Sequence, residues 1–189
     1  MKTLLLEGMA TSGKSTIIKQ LGDELGTNMS IKIVPETETL MKIVENTDRS
    51  VSIAYLSELI KNVYSHDYDV IIFDRLYLTH IFRTHSSMAD YKVIEDGIRQ
   101  YTPETIFLEV DESAIAERVA RASEHRDPEW KDYIYTKGET IEEIADYYIQ
   151  QQHNQLTLLE QSTLPHTIFN TTNHDYAQIG ARLIDVVRN

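Results

Sequence analysis

The chain has 189 residues, no cysteine and a formal net charge of −12, from 18 basic and 30 acidic side chains. This length suits one globular domain over residues 1–189, and the lack of cysteine excludes disulfides and thiolate chemistry. Because so acidic a chain repels polyphosphate backbones and anionic lipid, we expect no nucleic acid and no membrane as partner. The lack of cysteine fits a reducing cytosol, and we predict a cytoplasmic protein.

The chain opens with an apolar run at residues 3–6 that ends at Glu7, too short for a signal peptide, and it begins an alternation of apolar runs and helical periods. The runs are rich in β-branched residues and lack strict alternation, which is typical of strands buried on both faces. The predicted strands are 3–6, 31–34, 70–73, 105–108 and 167–169, and the predicted helices are about 13–25, 50–64, 90–101, 113–124, 140–160 and 176–187. Strands that alternate with helices indicate an α/β fold with a five-stranded parallel sheet flanked by helices.

A phosphate-binding motif joins the first predicted strand to the first predicted helix. The segment from Gly8 to Ser15 matches G-x-x-x-x-G-K-[ST], in which backbone N–H groups and the positive helix end surround phosphates. Lys14 is expected to reach the β- and γ-phosphates and the Ser15 hydroxyl to bind Mg²⁺. The predicted nucleotide-binding residues are Gly8, Met9, Ala10, Thr11, Ser12, Gly13, Lys14, Ser15 and Thr16. The predicted fold is therefore a P-loop three-layer sandwich.

Acidic side chains follow two other predicted strands. Asp74 ends the run 70–73 and is followed by Arg75, so this pair is expected at the same sheet edge as Gly8, with Asp74 near the metal and Arg75 near a phosphate. Glu36 lies two residues after the second strand and is suited to accept a proton from an attacking hydroxyl, with Glu38 as a nearby competitor. The alternative for Asp74 and Arg75 is a solvated pair at a strand end. The alternative for Glu36 is an ordinary acidic residue on the surface.

Three arginines fall within nine residues at the end of one predicted helix, Arg118, Arg121 and Arg126. They lead into the polar stretch 125–138, which we interpret as a mobile loop, so that 118–138 is predicted to be a lid. Positive charges that arrive on closure would stabilise a transferred phosphoryl group. Ion pairs on the helix surface with Glu117 and Glu124 are the alternative.

Histidines and tyrosines carry weaker signals. The histidines show no metal-ligand spacing, and each is expected to be solvated or hydrogen-bonded. Tyr55, Tyr64, Tyr77 and Tyr91 are candidates to stack on a base, but the core is the favoured place for each of them.

The ordered set of these motifs resembles the deoxynucleoside kinase and thymidylate kinase superfamily. The similar segments are 6–16, which reads L-E-G-M-A-T-S-G-K-S-T, 33–36, 73–75, 106–110 and 117–121. The resemblance implies that Glu36 acts on a 5′-hydroxyl, that Asp74 lies near Mg²⁺, and that Arg75 contacts the phosphoryl region. It also implies ATP as phosphate donor, arginines in a lid, and a possible homodimer through helices near residues 50–64.

The chain departs from the family at two places. The family commonly spaces its first two lid arginines four residues apart, whereas Arg118 and Arg121 are three apart. The stretch 50–64 offers Tyr55, Glu58 and Asn62 where the family carries a base-reading glutamine or arginine. The identity of the acceptor base is therefore open.

Our hypothesis from the sequence is an ATP- and Mg²⁺-dependent kinase that transfers the γ-phosphate to a small acceptor, a nucleoside or nucleoside monophosphate. Its catalytic residues would be Lys14, Glu36, Asp74, Arg75, Arg118, Arg121 and Arg126, and its metal ligands Ser15 and Asp74. The alternatives are a kinase of another small hydroxyl compound, such as an antibiotic, and a nucleotide-binding regulator or NTPase. The sequence contains no guanine-specific N-K-x-D signature, which argues against a GTPase-like switch.

Overall fold

The computed structural model describes residues 1–126 and 128–188, and its centre is a five-stranded, all-parallel sheet. The strands are β1 Lys2–Glu7, β2 Ile31–Val34, β3 Val70–Asp74, β4 Pro103–Glu109 and β5 His166–Asn170. They lie in the order β2-β3-β1-β4-β5, and every neighbouring pair is parallel. The predicted five-stranded parallel sheet is confirmed.

Helices cover both faces of the sheet. Those within the described residues are α1 Lys14–Leu25, α2 Glu36–Thr39, α3 Arg49–Tyr64, α4 Leu78–Arg83, α5 Lys92–Arg99, α6 Glu112–His125, α7 Pro128–Tyr135, α8 Ile141–Gln161 and α9 Tyr176–Arg188, with a 3-10 turn at Met41–Ile43. The six predicted helices correspond to α1, α3, α5, α6, α8 and α9. The short helices α2, α4 and α7 were not predicted.

The interpretation of 125–138 as a loop is wrong for much of that stretch, because α7 occupies Pro128–Tyr135. Proline is favoured in the first turn of a helix, where its missing N–H leaves no hydrogen bond unmade. Ile134 is fully buried in a small core cluster with Val119 and Ile144, and Trp130 and Tyr133 pack against this cluster.

Alternation along β1 divides the core between the two faces of the sheet. Leu5 packs with Phe73 and Phe107 in a cluster that also contains residues of α3, α4, α5 and α8. Leu4 and Leu6 face the opposite way, into a cluster with residues of α1 and α9. This arrangement gives the three layers expected from the sequence, with the strands in the middle.

Two local features stabilise α3 and α1. The apolar stripe of α3 is core, since Leu56, Ile60 and Val63 are buried in the cluster around Phe73. Gly26 is the C-cap of α1, and its N–H donates to the Gly22 carbonyl. No helix in the described part of the chain is long and apolar enough to cross a membrane.

The register of the sheet positions the site. Leu6 of β1 is paired with Asp74 of β3, so the end of β3 lies beside the start of the segment Gly8–Ser15. Glu36 follows β2, the neighbour of β3 on its other side. The carboxyl ends of three adjacent strands therefore deliver Gly8, Glu36 and Asp74 to the same edge.

Candidate functional site

A cavity of about 650 Å³ lies at this edge of the sheet. Among the predicted site residues, it is lined by Ala10, Thr11, Gly13, Lys14, Ser15, Thr16, Glu36, Arg75, Arg118, Arg121 and Arg126. The remaining four, Gly8, Met9, Ser12 and Asp74, are buried and do not line it. The structure thus brings the phosphate loop, the acid after β2 and the arginines of α6 to one space.

The phosphate loop has a backbone that only certain residues adopt. Gly8 and Gly13 have φ values of 135° and 98°, and Thr11 has a φ of 67°. A Cβ atom on Gly8 would lie 2.6 Å from the Leu108 carbonyl oxygen, so the residue must be glycine. The Thr11 and Ser12 hydroxyls are buried without a hydrogen-bond partner in the described structure. Unpartnered buried donors at the start of α1 suit the phosphate oxygens of a nucleotide.

Lys14 is folded back onto its own loop. Its Nζ donates to the carbonyl oxygens of Gly8 and Met9, at 3.1 and 2.9 Å. Burial and the positive charge of Arg75 lower the pKa of Lys14 to about 8, although the charges of Asp74 and Glu36 act in the opposite direction. Both acids thus lie close enough to influence this ammonium group, as the sequence predicts.

Glu36 is the first residue of α2 and forms an ion pair with Arg75, in which Arg75 Nε lies 3.0 Å from Glu36 Oε1. The Glu36 side chain is 37% exposed, whereas that of Arg75 is 5% exposed, so the carboxylate remains open to the cavity. Burial alone would raise the pKa of Glu36, but the charges of Arg75, Lys14 and Arg126 outweigh it and lower the pKa. Glu36 is therefore ionised at neutral pH and able to accept a proton.

Asp74, the last residue of β3, has a carboxylate oxygen that accepts no hydrogen bond in the described structure. Its Oδ1 is buried without a hydrogen-bond partner in the described structure, and its carbonyl accepts a hydrogen bond from Thr39. Burial raises the pKa of Asp74 above its ordinary value, and Lys14 opposes this rise. A free carboxylate oxygen and the exposed hydroxyl of Ser15 are oxygen ligands of the kind that Mg²⁺ prefers. These residues fit a magnesium site shared with nucleotide phosphates.

Glu7 is a buried acid for which the sequence suggested no role in the site. It is fully buried, and its Oε1 accepts a hydrogen bond of 2.8 Å from the Leu76 N–H. Arg75, one residue earlier, has a φ of 63°, a left-handed conformation that is uncommon outside glycine. Glu7 therefore holds the turn that presents Arg75, whose Nη1 donates to the Thr79 hydroxyl.

The three predicted lid arginines differ in their surroundings. Arg118 is buried, and its guanidinium donates to the carbonyl oxygens of Thr11, Thr171 and Thr172, which fastens α6 to the phosphate loop and to the segment after β5. Arg121 and Arg126 are exposed and line the cavity, and Arg126 lies 4.7 Å from the centre of the Trp130 ring. The unusual spacing of the first two arginines thus accompanies a structural task for Arg118.

A group of aromatic side chains that lines the cavity was missed by the sequence analysis. Trp130, Tyr133, Tyr147 and Tyr148, which we call the aromatic wall, line the cavity from α7 and α8. The tyrosines considered as base-stacking candidates lie elsewhere, since Tyr77 and Tyr91 are fully buried in the core and Tyr64 stacks on Tyr101. The helical spacing of Trp130, Tyr133 and Ile134 was the available signal for α7.

His80 fixes α2 and α3 against α4. Its Nε2 donates to the Thr39 carbonyl at 2.8 Å, which leaves Nδ1 to accept from the Ser52 hydroxyl. Burial lowers the pKa of His80 to about 4, and the charges of Arg83 and Arg75 act in the same direction. The ring is therefore neutral in the folded protein under ordinary conditions, and the histidine is hydrogen-bonded as expected.

This environment has a consequence for stability. Because the unfolded chain binds a proton at His80 from about pH 6.5 downwards and the folded chain does so only near pH 4, stability falls as the pH falls through this window, by about 3 kcal/mol at its lower end. We expect His80→Gln, which retains the donor to Thr39, to remove this share of the pH dependence. Urea unfolding at pH 7 and pH 4.5 measures the free energy of unfolding at each pH, and the difference between the two values gives the pH dependence. The exposed His166→Gln variant is the control, and an unchanged pH dependence in His80→Gln would contradict the assignment.

The sequence matches no protein-family model and no curated protein, but solved structures share its fold. A YorR protein from Bacillus subtilis, crystallised with phosphorylated GDP, superposes with a TM-score of 0.65 at 19% identity, over 98% of this chain and 95% of that one. The deoxyadenosine kinase from M. mycoides with bound dATP gives 0.63 at 18% identity over the whole of both chains. Its form with bound dCTP gives 0.53 at 17% identity, over 97% of this chain and 98% of that one. The chain has a P-loop deoxynucleoside kinase-like fold.

Proposed function

We propose that the protein is an ATP-dependent phosphotransferase that transfers the γ-phosphate to a hydroxyl group of a nucleoside. The observation that carries this proposal is the convergence of Glu36 and Asp74 on Lys14 at the cavity into which the phosphate loop opens. The nucleotides bound to the YorR protein and to the deoxyadenosine kinase support a nucleoside or nucleotide as ligand of this fold. An ionised acid beside the reaction centre favours a hydroxyl over a phosphate as acceptor.

Each part of the cavity has a task in this reaction. The amides of the phosphate loop hold the triphosphate, and Lys14 turns from its own loop carbonyls to the β- and γ-phosphates. Mg²⁺, held by Ser15 and Asp74 together with phosphate oxygens, would offset the negative charge of the triphosphate. Arg75, already held by Thr79 and Glu36, neutralises charge on the transferred group.

Glu36 performs the proton transfer. The acceptor hydroxyl donates a hydrogen bond to the Glu36 carboxylate, its oxygen attacks the γ-phosphorus, and the bond from that phosphorus to the β–γ bridging oxygen breaks. The hydroxyl proton passes to Glu36, and ADP leaves with the bridging oxygen. The acceptor lies against the aromatic wall, which offers flat surfaces to a base.

The segment 118–138 acts as the lid in this proposal. Arg121 and Arg126 line the cavity from this side and reach the triphosphate when the segment closes, which also excludes water from the γ-phosphate. The proposal includes one domain over residues 1–189, a homodimer formed near α3, and a place in the cytoplasm, consistent with a chain without cysteine.

Transfer of label from γ-labelled ATP tests the proposal against a panel of nucleosides, nucleoside monophosphates and aminoglycoside-like alcohols. We expect label on a nucleoside 5′-hydroxyl that depends on Mg²⁺. Label on a monophosphate or on a non-nucleoside alcohol would overturn the nucleoside as acceptor. Label found only as free phosphate would overturn the kinase and favour an NTPase.

A further inference from the structure

Two polar side chains that line the cavity each have one buried atom without a hydrogen-bond partner in the described structure. Arg83, the last residue of α4, is half-buried, and its Nη1 is buried without a hydrogen-bond partner in the described structure. Gln151 of α8 is 4% exposed, and its Oε1 is also buried without a hydrogen-bond partner in the described structure. Both residues line the cavity. One offers a donor and the other an acceptor to whatever fills this space.

Arg83 forms no ion pair with an acidic side chain within the described residues. Burial lowers the pKa of Arg83, and the titratable groups that oppose this are the tyrosines Tyr133, Tyr147 and Tyr91. The positive charge of Arg83 in turn lowers the pKa values of Lys137 and His80. A buried donor left unpaired is destabilising, the more so when it is charged, so a ligand that supplies acceptor atoms here is favoured.

Arg83 lies further along α4 than the residue that holds Arg75, and both residues line the cavity. Thr79 holds Arg75 and lies one helical turn before Arg83 on α4. A nucleoside whose 5′-hydroxyl meets Glu36 would therefore bring its base, not its reacting oxygen, towards Arg83.

The surroundings of Arg83 suit a flat ring. Tyr133 and Tyr147 of the aromatic wall are close enough to influence its charge. Lys137 lies 4.6 Å from the centre of the Tyr133 ring, and Phe82 meets Tyr147 edge-on at 5.5 Å. Aromatic faces stack on any base, so they contribute affinity without base specificity. Hydrogen bonds from Arg83 and Gln151 can supply that specificity.

We propose that Arg83 selects an acceptor base that presents a carbonyl oxygen beside an unprotonated ring nitrogen, which is the pattern of guanine and cytosine. A guanidinium has donors only, arranged as a planar fork, and it matches two neighbouring acceptors such as O6 and N7 of guanine. Adenine places an amino donor beside N7 and thymine an N–H beside each carbonyl, so neither offers this pair. The Gln151 carbonyl accepts an N–H or O–H of the same nucleoside. This inference rests on the proposed function only for the identity of the acceptor as a nucleoside.

The test compares kcat/KM for deoxyguanosine with deoxyadenosine, and for deoxycytidine with thymidine, in the unaltered protein and in Arg83→Met. We expect a preference of about 5- to 150-fold for deoxyguanosine or deoxycytidine over its matched partner. Arg83→Met should reduce this ratio to near 1, mainly through KM, with kcat changed less than about 3-fold. The control is Arg182→Met, an arginine that lies over Phe169 outside the cavity.

Binding without turnover separates this inference from the proposed function. Calorimetric titration with each nucleoside, in the presence of a non-hydrolysable ATP analogue, should give the same ratios and the same loss in Arg83→Met. If label reaches no nucleoside but this binding preference is found, the proposed activity fails and the inference stands. Tightest binding of deoxyadenosine or thymidine, or a ratio that Arg83→Met leaves unchanged, would overturn the inference even in an active kinase.

Discussion

Replacing Glu36 by Gln should lower turnover about 10²–10⁴-fold, the range typical of a lost general base. The amide has nearly the same size and can still contact Arg75, but it accepts no proton from the acceptor hydroxyl. The apparent affinity for ATP should change little, because Glu36 faces the acceptor. Steady-state kinetics with both substrates varied, together with a thermal shift caused by ATP, give the two readings.

Glu38 provides the matched control for this variant. It lies two residues further along the same short helix, but its carboxylate faces Lys32 of β2 at 4.0 Å and does not line the cavity. Glu38→Gln should therefore keep turnover within about 3-fold of the unaltered protein, since surface changes away from a site have small effects. Equal turnover in the two variants would remove Glu36 from the mechanism and leave positioning as the source of catalysis.

Lys14→Met should lower kcat/KM for ATP about 10²–10³-fold, as expected for one lost donor to a charge that develops in the transition state. The pH dependence gives a second, independent reading. Because the free protein has a Lys14 pKa of about 8 and only the protonated side chain attracts phosphate, kcat/KM for ATP should fall as the pH rises through 8. Once ATP is bound, its negative charge raises that pKa, so kcat should fall only at higher pH.

Lys14→Arg and Lys19→Met complete this experiment. Arginine stays charged throughout the range, so the fall of kcat/KM near pH 8 should disappear in Lys14→Arg whatever the remaining activity. Lys19 lies on the same helix, is exposed and pairs with Asp23, so its replacement should leave both profiles unchanged. A fall near pH 8 that persists in Lys14→Arg would show that another group titrates there.

The residues of the phosphate-binding motif were the most predictable part of the candidate site. The G-x-x-x-x-G-K-[ST] motif specifies the backbone conformation of the turn between a strand and a helix. The positions of Gly8, Lys14 and Ser15 could therefore be predicted from the motif. Asp74 and Glu36 were predictable because parallel strands end at one edge, and the paired register of β1 and β3 is what makes that argument work.

The proposed acceptor side of the cavity could not be predicted in the same way. The aromatic wall comes from α7 and α8, more than 90 residues after Glu36, and no local pattern states that these helices fold back over the cavity. Arg83 lies on a helix of six residues, too short to show a period. Glu7 looked like the end of an apolar run because its partner, the Leu76 N–H, is 69 residues away.

The anchoring of Arg118 would limit the motion of the lid proposed for segment 118–138. Its guanidinium is tied to backbone oxygens of two separate segments, at Thr11 and at Thr171 and Thr172, so this point of α6 is fixed relative to the phosphate loop. If the segment 118–138 closes as proposed, it must pivot beyond Arg118, on its C-terminal side. The moving part would then be shorter than the sequence suggested, and Arg126 would travel further than Arg121 on closure.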